Sequence, residues 1–296
     1  MNIITANANF GLDAQLQPQR ANSERVNGIV GEARTLVRMD NADAIYAFQT
    51  IMAGTSTFSF NLNSGTSVTY TSATNGVAQI ETVACAGTIT ATTANIGVVV
   101  TAAGMTGSPK TITVSVVSGD TAETWAGKVR TALNLDSAVT SLFTVGPSST
   151  SANVTLTRNA LQSYSTPAGT LSVFTANDST LNIALNAGAS GATTVSTSTN
   201  TTSGVATVGV FPYYADGKDF EGLTFPTDLD VIGYAVRVAD GQLVETIGGQ
   251  TRTLPSGTRS LMFSTVGTGI YGSSTTVTFG TTATFAQVVV TAILQD

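Results

Sequence analysis

Along most of the chain apolar residues recur at every second position, the period of a strand with one face buried. Between Ala44 and Tyr70, residues Phe58, Phe60 and Leu62 and then Val68 and Tyr70 fall on one side of two predicted strands, with Asn63-Ser64-Gly65 as the turn between them. Ile89–Thr101 and Thr111–Val117 read as two more strands, joined by Gly104-Met105-Thr106-Gly107-Ser108-Pro109. The period then changes. Ala122, Trp125, Ala126, Val129, Ala132 and Leu133 repeat at three and four, which predicts an amphipathic helix. Asp120 with Glu123 three residues later has the capping-box spacing, and Lys128 and Arg130 favour the C-terminal half. The helix is expected to stop at Asn134, with Asp136 capping a short second turn that carries Val139 and Leu142.

Strands resume at Phe143–Val145, Asn153–Thr157 and Leu181–Leu185, so this stretch has the order β-β-α-β-β-β. That order predicts an α+β module in which one helix covers a sheet. Ala187–Gly204 is nearly all Gly, Ala, Ser, Thr and Asn, and reads either as a linker or as an exposed edge. After Val205 the predicted strands are Val231–Val238, Leu243–Ile247, Leu261–Thr265, Thr275–Phe279 and Ala286–Leu294, with Ile232, Tyr234, Val236 and Val238 on one face. Glycines punctuate the turns, and the pattern is that of an all-β sandwich or small barrel.

Residues 1–40 differ from both regions. Arg20, Arg25, Arg34 and Arg38 alternate with Asp13, Glu24, Glu32 and Asp40, and Pro18, Gly11, Gly28 and Gly31 interrupt the segment. An arm ordered by contact with a neighbouring subunit fits this spacing, because each guanidinium offers a fixed fork of donors to a carboxylate. Val26, Ile29, Val30, Ala33 and Val37 also fall at helical spacing, so a helix over Ser23–Met39 packed on its own subunit competes with the arm. The expected organisation is thus an arm over 1–40, a composite β domain from 41–76 and 208–296, and an inserted α+β module over 77–207.

Charge narrows the function. Only 10% of the 296 residues are charged, against about 25% in a typical soluble domain. Thr, Ser, Ala, Gly and Asn take their place, which suits strands whose outer faces are wet but uncharged. Such faces lose few hydrating waters from ions when pressed against a neighbour. The net charge of −6 gives no electrostatic footprint for nucleic acid, so no direct nucleic-acid partner is expected. No run of about 18 apolar residues marks a membrane span. Met1-Asn2-Ile3-Ile4-Thr5-Ala6-Asn7 lacks the basic and apolar regions of a signal peptide, so synthesis in a cytoplasm is expected.

Catalytic templates fail on residue inventory. Histidine is absent, which removes Ser-His-Asp and Cys-His chemistry, and Cys85 is the sole cysteine, which removes an intramolecular disulfide. The densest acidic group is Asp216, Asp219 and Glu221, a candidate for Ca²⁺ or for carboxylate catalysis, with a polar turn as the plainer reading. Trp125 reads as core rather than as a sugar-stacking residue. The aromatic cluster Phe211, Tyr213, Tyr214, Phe220 and Phe225 suits a β core, with an interface role open to Tyr213 or Tyr214. Neither a cofactor nor an enzymatic activity is expected.

Three runs carry a resemblance: Gly119-Asp120-Thr121-Ala122-Glu123-Thr124-Trp125-Ala126-Gly127-Lys128-Val129-Arg130-Thr131-Ala132-Leu133, Val154-Thr155-Leu156-Thr157-Arg158, and Asn177-Asp178-Ser179-Thr180-Leu181-Asn182-Ile183-Ala184-Leu185. Together they resemble an accessory domain of structural proteins in tailed bacteriophages, over roughly 77–207. The resemblance implies a virion protein whose module projects outward and whose flanks make virion contacts. A capsid decoration, or cement, protein on the outer surface of the head is the leading expectation. Its partners would be the major capsid protein and copies of itself, with closed rings such as trimers suited to the site. A tail-tube or tail-surface subunit and a host-glycan-binding adhesin are the alternatives.

Overall fold

The computed structural model describes residues 44–63, 68–166, 169–192, 196–212, 230–263 and 275–295. The expected arm with Arg20, Arg25, Arg34 and Arg38, the acidic group Asp216, Asp219 and Glu221, and the aromatics Tyr213, Tyr214, Phe220 and Phe225 lie outside these residues. The protein is mainly β, with several antiparallel sheets and a helix-bearing module. It divides into two compact units. Of the described residues, the body comprises those up to Thr74, those within Tyr164–Leu171 and those from Val208 onward. The inserted unit comprises Asn75–Ser163 and Ser172–Thr207.

Three long strands make the body: β1 (Ala44–Leu62), β14 (Asp230–Ile247) and β17 (Thr275–Gln295). Strand β17 lies between the other two and pairs antiparallel with both along nearly their whole length. Shorter strands flank them: β2 (Thr69–Tyr70) and β13 (Gly209–Pro212) on β1, and β15 (Gln250–Pro255) and β16 (Arg259–Phe263) on β14. The long strands bend back on themselves. Tyr234 pairs with Ala292, thirteen residues beyond Phe279 and about 43 Å away along a straight strand, yet the Tyr234 and Phe279 rings are 5.5 Å apart. Register shifts at Gly54/Ser56 in β1 and at Val238/Asp240 and Gly241/Val244 in β14 supply the bend. The Asn63 N–H then donates to the Val231 carbonyl at 2.9 Å, joining the end of β1 to the start of β14. One core fills the fold, with Met52, Phe58, Phe60, Leu62, Tyr234 and Phe279 as its large members.

Thr74 pairs antiparallel with Val208 in the body, and Val77 pairs antiparallel with Val205 in the inserted unit. The inserted unit holds two four-stranded antiparallel sheets around one core, rather than the single sheet expected. The first has the order β11 (Ser196–Thr197), β10 (Asn182–Asn186), β4 (Thr93–Thr101), β5 (Lys110–Val117). The second has the order β12 (Thr199–Thr202), β3 (Ile80–Ala84), β7 (Asn153–Arg158), β6 (Phe143–Gly146). Helix α1 (Ala122–Leu135) packs on β5, β6 and β7, followed by the single turn α2 (Ser137–Thr140). A hairpin of β8 (Gln162–Thr166) and β9 (Gly169–Val173) completes the element order. The polar stretch Ala187–Gly204 contributes β11 and β12, the edge strands, so the edge reading holds over the linker.

Candidate functional site

Helix α1 forms one side of a concavity on the inserted unit. Its N-cap is Thr121, one residue later than the sequence reading placed it: Thr121 Oγ1 accepts the Thr124 N–H at 3.3 Å. Asp120 is engaged elsewhere, accepting the Val117 N–H at 2.9 Å and the Lys128 ammonium at 2.5 Å. Asp136 ends α1 in an extended conformation and caps α2, its Oδ1 accepting the Ala138 and Val139 N–H groups. Trp125, Ala126, Val129 and Leu133 form the buried stripe. Trp125 is wholly buried and its Nε1 donates to the Gly87 carbonyl at 3.1 Å, so the indole is core.

A second stripe of α1, Thr124, Gly127, Lys128, Thr131 and Leu135, walls an open groove whose other side is Thr113, Val114 and Ser115 of β5. The groove encloses about 510 Å³. Leu135 stands 83% exposed at its end. The helical wall is low because Gly127 has no side chain and Thr124 and Thr131 are short. The other wall is an edge strand, since β5 pairs only with β4 among the described residues.

The nearby charges are paired. Lys110 meets Asp136 at 2.8 Å and Lys128 meets Asp120 at 2.5 Å. The Lys128 hydrogen bond, helped by the Val117 N–H, holds the Asp120 carboxyl below its ordinary range against a small opposing effect of burial. The Lys110 hydrogen bond does the same for Asp136. The one charged residue of the lining, Lys128, is thus neutralised by Asp120, and the rest of the groove is hydroxyl-bearing and apolar, which suits a polypeptide rather than an ion.

The other polar groups are bound into the fold. Burial pushes the Asp178 carboxyl up, but hydrogen bonds from Thr180 and the Ala103 N–H and the nearby Arg158 bring it below its ordinary value. Gln79 clasps the Asp178 backbone from both sides, at 2.7 and 2.9 Å. In the body, wholly buried Glu245 accepts the Tyr234 hydroxyl at 2.8 Å and the Arg252 Nε–H. Sequence reasoning missed both clusters, because pairs such as Gln79 and Asp178 are brought together only by the fold. Burial drives the Cys85 thiol up to about 12, partly offset by Arg130, so it remains an unreactive thiol. No group of three or more His, Cys, Asp or Glu side chains among the described residues is arranged to hold a metal ion. The free edge of β5 did have a sequence signal: Thr111-Ile112-Thr113-Val114-Ser115-Val116 alternates without charge or proline. Compared with protein-family models, curated proteins and solved structures, the chain matches none.

Proposed function

We infer that the chain is a non-enzymatic structural protein of a tailed-phage particle, acting as a capsid decoration protein that binds and stabilises the assembled head. The observation that carries this reading is the surface of the inserted unit. Its outward strand positions are Thr111, Thr113 and Ser115 on β5 and Thr199, Asn200 and Thr201 on β12, hydroxyls and amides with no ion among them. Such a face gives up little hydration when covered, and its backbone edges offer hydrogen bonds that any extended neighbour satisfies. Binding only the assembled lattice lowers the free energy of that lattice relative to separated subunits, which is how a cement protein would resist internal pressure. The phage assignment itself rests on the sequence resemblance over roughly 77–207. Immunogold labelling of tailed particles with antibody against the inserted unit tests the reading. Gold over the head shell is the expected result. Gold along the tail favours a tail subunit instead, and unlabelled particles that lack the chain overturn the virion assignment.

A further inference from the structure

Among the described residues β5 is an edge whose central run, residues 111–116, carries neither charge nor proline, the nearest being Pro109 and Lys110 at its start. It spans eight residues, the longest edge strand among those described, and runs in unbroken register against β4. Several other edges are blunted: β12 carries a register shift at Asn200/Thr202, β6 is followed directly by Pro147, β13 ends at Pro212, and β15 carries Arg252 and ends at Pro255. Within β5 the only charge is Lys110 at its start, already paired with Asp136. Natural sheets avoid such an edge unless something covers it.

The outward backbone groups can be assigned. The Ser118 N–H donates across to Thr92, whereas the Val117 N–H and carbonyl turn outward to Asp120. Because an antiparallel ladder alternates, the N–H and C=O groups of Ser115, Thr113 and Thr111 also point away from β4. Thr113 and Ser115 line the groove. The low wall of α1 leaves room beside them.

We propose that β5 pairs antiparallel with β5 of a second copy about a two-fold axis through Thr113, joining two inserted units through one continuous sheet. The chain's own chemistry argues for a second copy as the occupant. In this register Thr113 faces Thr113, and Thr111 faces Ser115 of the other copy, so the outer face carries hydroxyl pairs. On the inner face Ile112 meets Val114. No like charges are opposed, and Val117, whose backbone is already bound to Asp120, falls outside the new ladder. The contact is isologous, each residue meeting its symmetric counterpart, as a two-fold requires. It goes beyond the virion reading and does not depend on the particle in which the chain works.

Sedimentation of the full chain over a concentration series tests this contact. Thr113 is exposed and its N–H points away from β4, with no hydrogen bond to it among the described residues, so Thr113→Pro and Thr113→Lys should leave the thermal melt unchanged. Proline removes the central donor, and lysine sets two ammonium groups face to face. Each should weaken self-association by about tenfold or more. Mixing Thr113→Lys with Thr113→Glu chains should restore the pairing as a mixed dimer. A wild-type chain that stays monomeric at high micromolar concentration overturns the proposal. So does self-association that survives both variants, or a mixture that fails to recover while each variant remains folded. Shell labelling together with a monomeric chain would leave the virion reading standing and remove this one.

Discussion

In the inserted unit the longest strand has nine residues, whereas in the body three strands run for 18, 19 and 21. Short strands enclose a core by changing sheet at loops, and the space between them is filled by a helix carrying Trp125. Long strands enclose theirs by bending, so that one strand contributes to both sides of the core. Tyr234 and Glu245 show this directly: they are eleven residues apart on β14, yet hydrogen-bonded at 2.8 Å. The inserted unit therefore depends on a large side chain wedged by packing, the body on a few backbone positions that allow the bend. The two units should fail under different substitutions.

The largest effect is expected from Trp125→Ala. The side chain is wholly buried in the shared core of both sheets, and its loss should destabilise the inserted unit by about 3–5 kcal/mol. Urea unfolding followed by far-UV circular dichroism should show one transition moving to lower denaturant while a second, from the body, stays in place. A loss of only a few tenths of a kcal/mol would mean that the indole is not the keystone of that core.

Gly241→Ala is the corresponding break in the body. Gly241 sits at φ +71° in the bend of β14, and a Cβ there would lie 2.0 Å from the Phe285 carbonyl oxygen. Left-handed strain alone costs about 1–2 kcal/mol, and the backbone clash adds to it. Gly249→Ala is the control, since φ is +77° but nothing lies within 4 Å of the added atom. It should cost the strain without the clash. Single tryptophan fluorescence from Trp125 reports the inserted unit and should not respond to either change. Equal losses for the two alanines would show that the bend tolerates a side chain and that the close approach at Phe285 is not a constraint.

The same contrast explains how much of the fold was legible in the sequence. Helix α1 was readable because its period, caps and flanking turns are local. Even the cap error was of one residue, since Asp120 and Thr121 are both cap formers and only the fold assigns Asp120 to Lys128. The alternation predicts Val231–Val238 and Leu243–Ile247 as separate strands, with a glycine-punctuated turn between them where Gly241 stands. Gly241 bends a continuous strand instead, because the β17 ladder holds both sides of it. The same holds for Thr275–Phe279 and Ala286–Leu294, which are parts of β17. A glycine in an alternating pattern signals a turn or a bulge equally, and long-range pairing decides which. The groove was hidden for another reason. Helical spacing marked the buried stripe of α1, but the stripe beside β5 is defined by what its residues lack.

Acid should act on the inserted unit through Asp120, Asp136 and Asp178, whose carboxyls are all held below the ordinary value of 3.8. A depressed folded value means that the ionised form is favoured by folding. That contribution is complete above the unfolded carboxylate range and is lost as pH falls through the folded values. Trp125 fluorescence melts taken from about pH 6 down to about pH 2 should therefore fall on the acid side. Asp120→Asn should lower the neutral-pH melt and flatten part of the acid decline, because the Lys128 pair is already gone. A decline of unchanged depth in that variant would place the acid sensitivity elsewhere.

The smallest effect, and the sharpest local one, concerns where α1 begins. Thr121 Oγ1 accepts the Thr124 N–H, satisfying one of the helix's unpaired first-turn donors, so Thr121→Ala should cost about 1 kcal/mol. Thr121→Ser keeps the acceptor and should cost little. Asp120→Ala removes no cap but releases Lys128 and the Val117 N–H together, so its effect should vary with salt as an ion pair's does, whereas that of Thr121→Ala should not. Urea midpoints read by Trp125 fluorescence at low and high ionic strength separate the two roles, because the indole lies one turn from the cap. If Asp120→Ala is insensitive to salt and Thr121→Ala is neutral, Asp120 caps the helix in solution, and the sequence spacing was the better guide to this end of α1.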